Sequence, residues 1–237
     1  MTSLGNIAHG LAAAVFVTAG VLGALQPGPG LPLAMSLRGQ HLAYTYLAPD
    51  NPLMWTLLLV VWAVVALDAI GQWIDPSEGP ASVRRQPRVQ GLFVISLLIA
   101  SAAPALLRDS PAGLAVAMCA ATGAAIVASR RAAGRHRPAI GFYAGWMTAV
   151  TSAALAIMAD RLMQMPVVLI SATAILPATA VGIVAQIWIG PSIGYSAALI
   201  WAFCAMAITT MGTAPLIALW AIVGIASMAI VLVRAAS

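Results

Sequence analysis

The sequence predicts an all-α fold, a polytopic bundle of about eight transmembrane helices. Three observations predict it. Of 237 residues, 62% are hydrophobic and only 7% are charged, where a soluble domain carries about a quarter charged residues. The apolar residues come in long blocks with the few charges gathered between them. Eight of the blocks run for roughly 19–22 residues, the length a helix rising about 1.5 Å per residue needs to cross roughly 30 Å of hydrocarbon. The spans fall at about 7–25, 53–74, 89–107, 112–130, 139–160, 166–187, 193–212 and 214–234.

The first span runs from Ile7 to Leu25. Residues 1–6 hold no Arg or Lys, and Gln26-Pro27-Gly28-Pro29-Gly30 offers no small-x-small cleavage site. The segment therefore reads as a retained span, not a cleaved signal. Loop 1, about 26–52, is the one long connection. Its Tyr44 and Tyr46 suit the headgroup level or the mouth of a pocket. The second span opens at Pro52 and carries Trp55, Trp62 and Trp73, which share a face at 100° per residue. Pro76 and Pro80 close it. Pro111 divides the third span from the fourth, which is rich in Ala and Gly. The fifth holds Gly141 and Gly145, four apart, a spacing that lets helix backbones approach. Pro177 lies mid-way along the sixth and should kink it. Gly190-Pro191 leads to the seventh span. The weakest joint follows: only Gly212, Thr213 and Pro215 separate spans seven and eight, so seven spans with a re-entrant end is the alternative.

Charge orients this ladder. All eleven cationic residues are Arg. Arg84, Arg85, Arg88, Arg130, Arg131, Arg135, Arg137 and Arg234 share one side of an eight-span bundle, leaving Arg38, Arg108 and Arg161 on the other. The positive-inside rule puts both termini in the cytoplasm, in a membrane of the bacterial inner type. The net charge of +5 is accounted for by these loops, and no basic stripe interleaved with aromatics points to nucleic acid.

Few polar residues are placed to carry chemistry. Asp68 is the one acid well inside a span, with Gln72 four residues on along the same face. An intramembrane carboxylate is a functional candidate. An interface carboxylate paired with Arg84, Arg85 or Arg88 explains it without any function. The histidines, His9, His41 and His136, are scattered, and only His9 lies inside a span, too few for a bis-histidine haem. Cys119 and Cys204 read as buried small hydrophobes. No metal-ligand cluster, nucleophile motif, paired prenyl-diphosphate carboxylates or nucleotide loop is present in the sequence, which argues against an enzyme. Gln186 and the Ser and Thr residues within spans should bond neighbouring backbone carbonyls. The aromatics are more informative. Trp55 and Trp73 fit the two interfacial belts, but Trp62 lies between them. Tyr143 and Trp146, three apart, form a second patch, and Trp201 lies inside span seven. Flat buried surfaces of this kind suit a planar apolar ligand, a tetrapyrrole, a carotenoid or another lipid, and equally suit helix packing.

Span five carries a wider pattern. Gly141-Phe142-Tyr143-Ala144-Gly145-Trp146-Met147-Thr148-Ala149-Val150-Thr151 resembles the P-[FY]-x-x-Y-x-G-W-[IV]-x-x-A-T segment of tryptophan-rich sensory proteins, long relatives of the translocator-protein/peripheral benzodiazepine receptor (TspO/MBR) family. Pro52-Leu53-Met54-Trp55, continuing to Trp62, is similar to the start of that family's second helix. Tyr195-Ser196-Ala197-Ala198-Leu199-Ile200-Trp201-Ala202 resembles its Y-x-L-V-x-I-W-A stretch. Ala154 stands where the family has Asn, and Leu57 where it has an aromatic. The resemblance implies a five-helix core over 1–161 and a three-helix extension over 162–237. It also implies a receptor-like, non-enzymatic protein binding porphyrins or other flat lipophiles between helices, at Trp55, Trp62, Tyr143, Trp146 and Trp201.

Two other functions compete: a structural or assembly subunit of a larger energy-transducing or pigment complex, and a transporter using Asp68. The partner is then a second copy, a larger membrane complex or a coupled ion.

Overall fold

A computed structural model describes residues 2–26, 40–74, 86–133, 137–164, 166–190 and 192–236. Among them lie ten helices: α1 (Thr2–Ala24), α2 (Gln40–Leu47), α3 (Pro52–Ile74), α4 (Gln86–Ser101), α5 (Ala103–Asp109), α6 (Pro111–Ala132), α7 (Pro138–Met163), α8 (Val167–Ile189), α9 (Ile193–Thr210) and α10 (Pro215–Ala236). Eight spans are long and apolar enough to cross a membrane, with α4 and α5 together making the third, Val89–Asp109. This is the architecture expected, at nearly the expected boundaries. Spans seven and eight are both complete, because the chain reverses within Met211–Ala214.

The joints follow local chemistry. Pro104 stands in the first turn of α5 and has no N–H to offer α4, so the third span breaks at Ala102. Ser110 caps α6 by accepting the Gly113 N–H at 3.1 Å, with Pro111 in the first turn. Gly190, at φ 88°, turns the chain out of α8 in a conformation that side chains with a Cβ avoid. Gln186 holds that turn from inside. Its Nε2 donates to the carbonyls of Gly190 and Ser192, each at 2.9 Å, and its Oε1 accepts from the Ser196 N–H and hydroxyl.

α7 is the axis of the bundle. It packs against α2, α3, α6, α8 and α9, and 89% of its apolar stretch is buried, against 61% or less for every other span. Lipid gives helices no hydrophobic incentive to associate, so close approach must come from small residues and interhelical hydrogen bonds. α7 supplies both. Its buried face is largely Ala, Gly, Ser and Thr. Thr122 Oγ1 of α6 lies 3.1 Å from the Met147 carbonyl oxygen and Thr151 Oγ1 of α7 3.1 Å from the Met118 carbonyl oxygen, and the two hydroxyls share their two protons between these carbonyls and each other. Ser96 of α4 donates to the Ala121 carbonyl at 2.7 Å. α1 and α3 pack on each other and α1 on α4, while α10 covers α8 and α9. Short α2, part of loop 1, lies against α7 with Leu42, Ala43, Tyr46 and Leu47 buried. The cysteines differ from expectation. Cys119 is exposed and Cys204 half-exposed.

The Pro177 kink is mended across the interface. Proline leaves the Thr173 carbonyl without its helical donor. The hydroxyl of Ser152, on α7, donates to that carbonyl at 3.2 Å and accepts the Ala178 N–H at 3.3 Å. Ser152→Ala should therefore cost about 1–2 kcal/mol. The cost should shrink in a Pro177→Ala background, where residue 177 regains its own N–H. Reversible unfolding in mixed micelles measures this cycle, and equal costs in both backgrounds would contradict the repair.

Candidate functional site

The arginine-rich end of the bundle holds a buried polar cluster. Asp68 lies six residues before the end of α3, about 9 Å along the helix. Its two oxygens accept from one guanidinium: Arg137 Nε to Oδ1 at 3.0 Å and Nη2 to Oδ2 at 2.5 Å. The side chains are 5% and 7% exposed. The bidentate geometry is the strong form of this pair. Arg137 is the residue immediately before α7, so the pair ties α3 to the start of the axial helix. His9 of α1, fully buried, brings Nε2 to 3.5 Å from Asp68 Oδ2. Beside this trio runs an amide chain. Asn6 Nδ2 donates to the Gln72 carbonyl at 2.9 Å, and Gln90 Nε2 donates to Asn6 Oδ1 at 3.0 Å and lies 3.5 Å from Gln72 Oε1.

Among the described residues the partner of Asp68 is Arg137. Arg84 and Arg85, and the side chain of Arg88, lie outside the described residues, and the carboxylate is taken up by Arg137. Arg38, Arg135, His136 and the His41 side chain are likewise outside them.

The aromatic residues form three groups. Tyr143 and Trp146 join a column with Phe16 of α1 and Phe93 of α4. Ring centroids lie 5.3 Å apart for Phe93–Tyr143, 5.5 Å for Phe16–Tyr143, 6.0 Å for Phe16–Trp146 and 6.2 Å for Tyr143–Trp146. The column continues to the polar end, because His9 lies edge-on to Phe93 at 5.3 Å. The Tyr143 hydroxyl is bonded to Ser96 at 3.1 Å. Trp55 and Trp62 form the second group, edge to face at 6.5 Å on α3. Trp62 lies against Gly20 of α1 so closely that a Cβ there would stand 2.7 Å from Nε1. Trp201 is apart from both, against Phe142 at 6.3 Å where α9 meets α7.

Comparison with known protein families, with curated proteins and with solved structures finds no match. Function must be read from the site alone.

Three buried aromatic donors have no acceptor among the described residues: Trp62 Nε1, the Tyr46 hydroxyl and, on α10, Trp220 Nε1. Trp62 is 7% and Tyr46 2% exposed. Burial in α2 pushes the Tyr46 hydroxyl above its ordinary range, so it stays a neutral donor. An open groove of about 240 Å³ lies elsewhere, between α6, α7 and α8, lined by Cys119, Thr122, Thr151, Leu155 and Pro177. The hydroxyls of Thr122 and Thr151 bond each other at 2.6 Å. The groove is therefore apolar and offers a ligand no directional partner. None of the five aromatic candidates lines it.

The sequence pattern singled out Asp68, Gln72, Trp55, Trp62, Tyr143, Trp146 and Trp201, and missed Asn6, Phe16, Gln90 and Phe93. One signal for Phe16 was readable: it lies seven residues after His9, on the same face of α1.

Proposed function

We propose that this chain is a receptor-like, non-catalytic membrane protein of the tryptophan-rich sensory type. In this reading it holds a planar lipophile carrying acceptor atoms, such as a tetrapyrrole, in the half of the bundle that α2 covers. The observation that carries it is the pair of buried, unpartnered donors, Trp62 Nε1 and the Tyr46 hydroxyl. A donor left unpaired in a low-dielectric interior costs about 1–3 kcal/mol, and a ligand carbonyl, carboxylate or ring nitrogen would recover that cost. Trp55 would supply ring surface beside Trp62, with the Tyr143–Trp146 column behind as a wall. Trp201, on the α7–α9 side, serves packing. The arginines support a cytoplasmic location for both termini in a bacterial inner membrane. Arg130, Arg131, Arg137 and Arg234 lie at helix ends on the side of the chain's N-terminus, while Arg108 and Arg161 lie at the opposite ends.

Protoporphyrin titrated into the protein in nanodiscs should quench tryptophan fluorescence. Trp62→Phe and Tyr46→Phe should each weaken binding about tenfold, the loss of one hydrogen bond, while Trp201→Phe leaves it unchanged. Equal affinity in all three variants and the parent would rule out this site.

A further inference from the structure

The polar end contains one group that neither packing nor charge balance explains. Arg137 and Asp68 neutralise each other, and two guanidinium N–H groups occupy both carboxylate oxygens. His9 is not needed as a counter-charge. Nor does its shape require an imidazole: its ring meets Phe93 edge-on, a contact that an apolar side chain would make without burying two ring nitrogens. Both nitrogens are buried without a hydrogen-bond partner among the described residues, which incurs their full desolvation. Yet Nε2 is aimed at an anion, 3.5 Å from Asp68 Oδ2 and just beyond hydrogen-bond reach. That oxygen still has a free lone pair after accepting from Arg137.

Each element packed around His9 contributes to this end. α1 brings Asn6, α3 brings Asp68 and Gln72, α4 brings Gln90 and α7 brings Arg137 at its start. The three amides do not titrate and are engaged with one another. Among the described residues, the protonatable groups of the cluster are therefore His9 and Asp68.

We propose that His9 and Asp68 form a binding site for one proton at the arginine-rich end of the bundle. In the empty state His9 is neutral and the Arg137–Asp68 pair is closed. A proton from water at that face binds His9 Nε2, and the new N–H donates to Asp68 Oδ2, closing the 3.5 Å gap. The cluster goes from net zero to net +1, with no other bond made or broken. The oxygen that His9 then shares is the one that receives Arg137 Nη2. Proton binding therefore loosens the tie between α3 and the start of α7 as it tightens α1 onto α3. This inference is independent of any ligand held by Trp62 and Tyr46.

The test is NMR of the full chain labelled with ¹⁵N,¹³C-histidine in phosphatidylcholine nanodiscs. The chain has three histidines, and His9→Gln, His41→Gln and His136→Gln assign them. The resonance missing in His9→Gln should pass from neutral imidazole to imidazolium between about pH 8 and about pH 5. That transition should be lost in Asp68→Asn. Where Asp68→Asn does not insert, Asp68→Glu, which displaces the anion, should move the midpoint by about one pH unit. A His9 that stays neutral throughout while the other two titrate would overturn the site. So would a His9 transition unaltered in whichever Asp68 variant folds.

Discussion

Asp68→Ala should cost the bundle about 3 kcal/mol of stability. Removing one partner of a buried ion pair strands the other charge, a loss of about 3–5 kcal/mol in protein interiors. Here the stranded charge is a guanidinium only 7% exposed, with no other acidic group beside it among the described residues. The lower end of the range applies because Arg137 stands at the very start of α7, where its long stem can carry the head outward to the interface. Arg137→Ala should cost a similar amount, since it leaves the buried carboxylate without its guanidinium partner. The double variant Asp68→Leu with Arg137→Leu should be much closer to the parent than the sum of the singles, because it strands nothing. Reversible unfolding in mixed micelles reads all three. Single costs below about 1 kcal/mol, the value for solvated surface pairs, would show that water reaches this end and that the pair is not a tie between helices.

The same cluster shows where reading the sequence stops. The eight spans were legible because the bilayer imposes their length, and Pro and Gly punctuate their joints. α2 was not, because eight residues of mixed polarity inside a Pro/Gly-rich loop carry no length signal; only Tyr44 and Tyr46 hinted at it. Asp68 and Gln72 stood out as polar residues in an apolar helix. Their surroundings did not, because which helices become neighbours is set by packing between segments far apart in the chain. Three arginines lay within twenty residues of Asp68, yet the partner found among the described residues lies 69 positions away. His9 looked solitary for the same reason. The tryptophan stripe of α3 was correctly seen as one face, and it grades from exposed Trp73 through half-buried Trp55 to buried Trp62. What periodicity could not supply was the opposing surface, the bare backbone of α1 at Gly20.

Gly145→Val should have the other large effect, a loss of about 3 kcal/mol or more, because it acts where the axial helix meets the last three spans. A Cβ at Gly145 would stand 2.2 Å from the Tyr195 carbonyl oxygen and 3.1 Å from the Ala198 Cβ. The first of these is backbone of α9 and cannot rotate away. The contact is reciprocal: a Cβ at Gly194 would lie 2.8 Å from the Pro138 carbonyl oxygen, and one at Gly141 would lie 3.4 Å from the Tyr195 nitrogen. Glycines on both helices thus bring two backbones together, and the helices can accept a side chain only by moving apart. Separation would also stretch the 2.8 Å hydrogen bond between the Tyr195 and Thr148 hydroxyls, leaving the Tyr195 hydroxyl at the centre of the bundle without its partner while Thr148 keeps the Ala144 carbonyl. Overpacking alone typically costs about 1–3 kcal/mol; the lost hydrogen bond and the branched side chain carry valine to or beyond the top of that range, with alanine near the middle. Gly123→Ala on α6 is the control. Nothing lies within 4 Å of its Cβ position and the residue is exposed, so alanine there should be neutral or stabilising by up to about 1 kcal/mol through helix propensity. Unfolding of the three variants under one condition separates the two sites. If Gly145→Ala were as harmless as Gly123→Ala, α7 and α9 would not make this backbone contact, and the join between the first five spans and the last three would have to lie elsewhere.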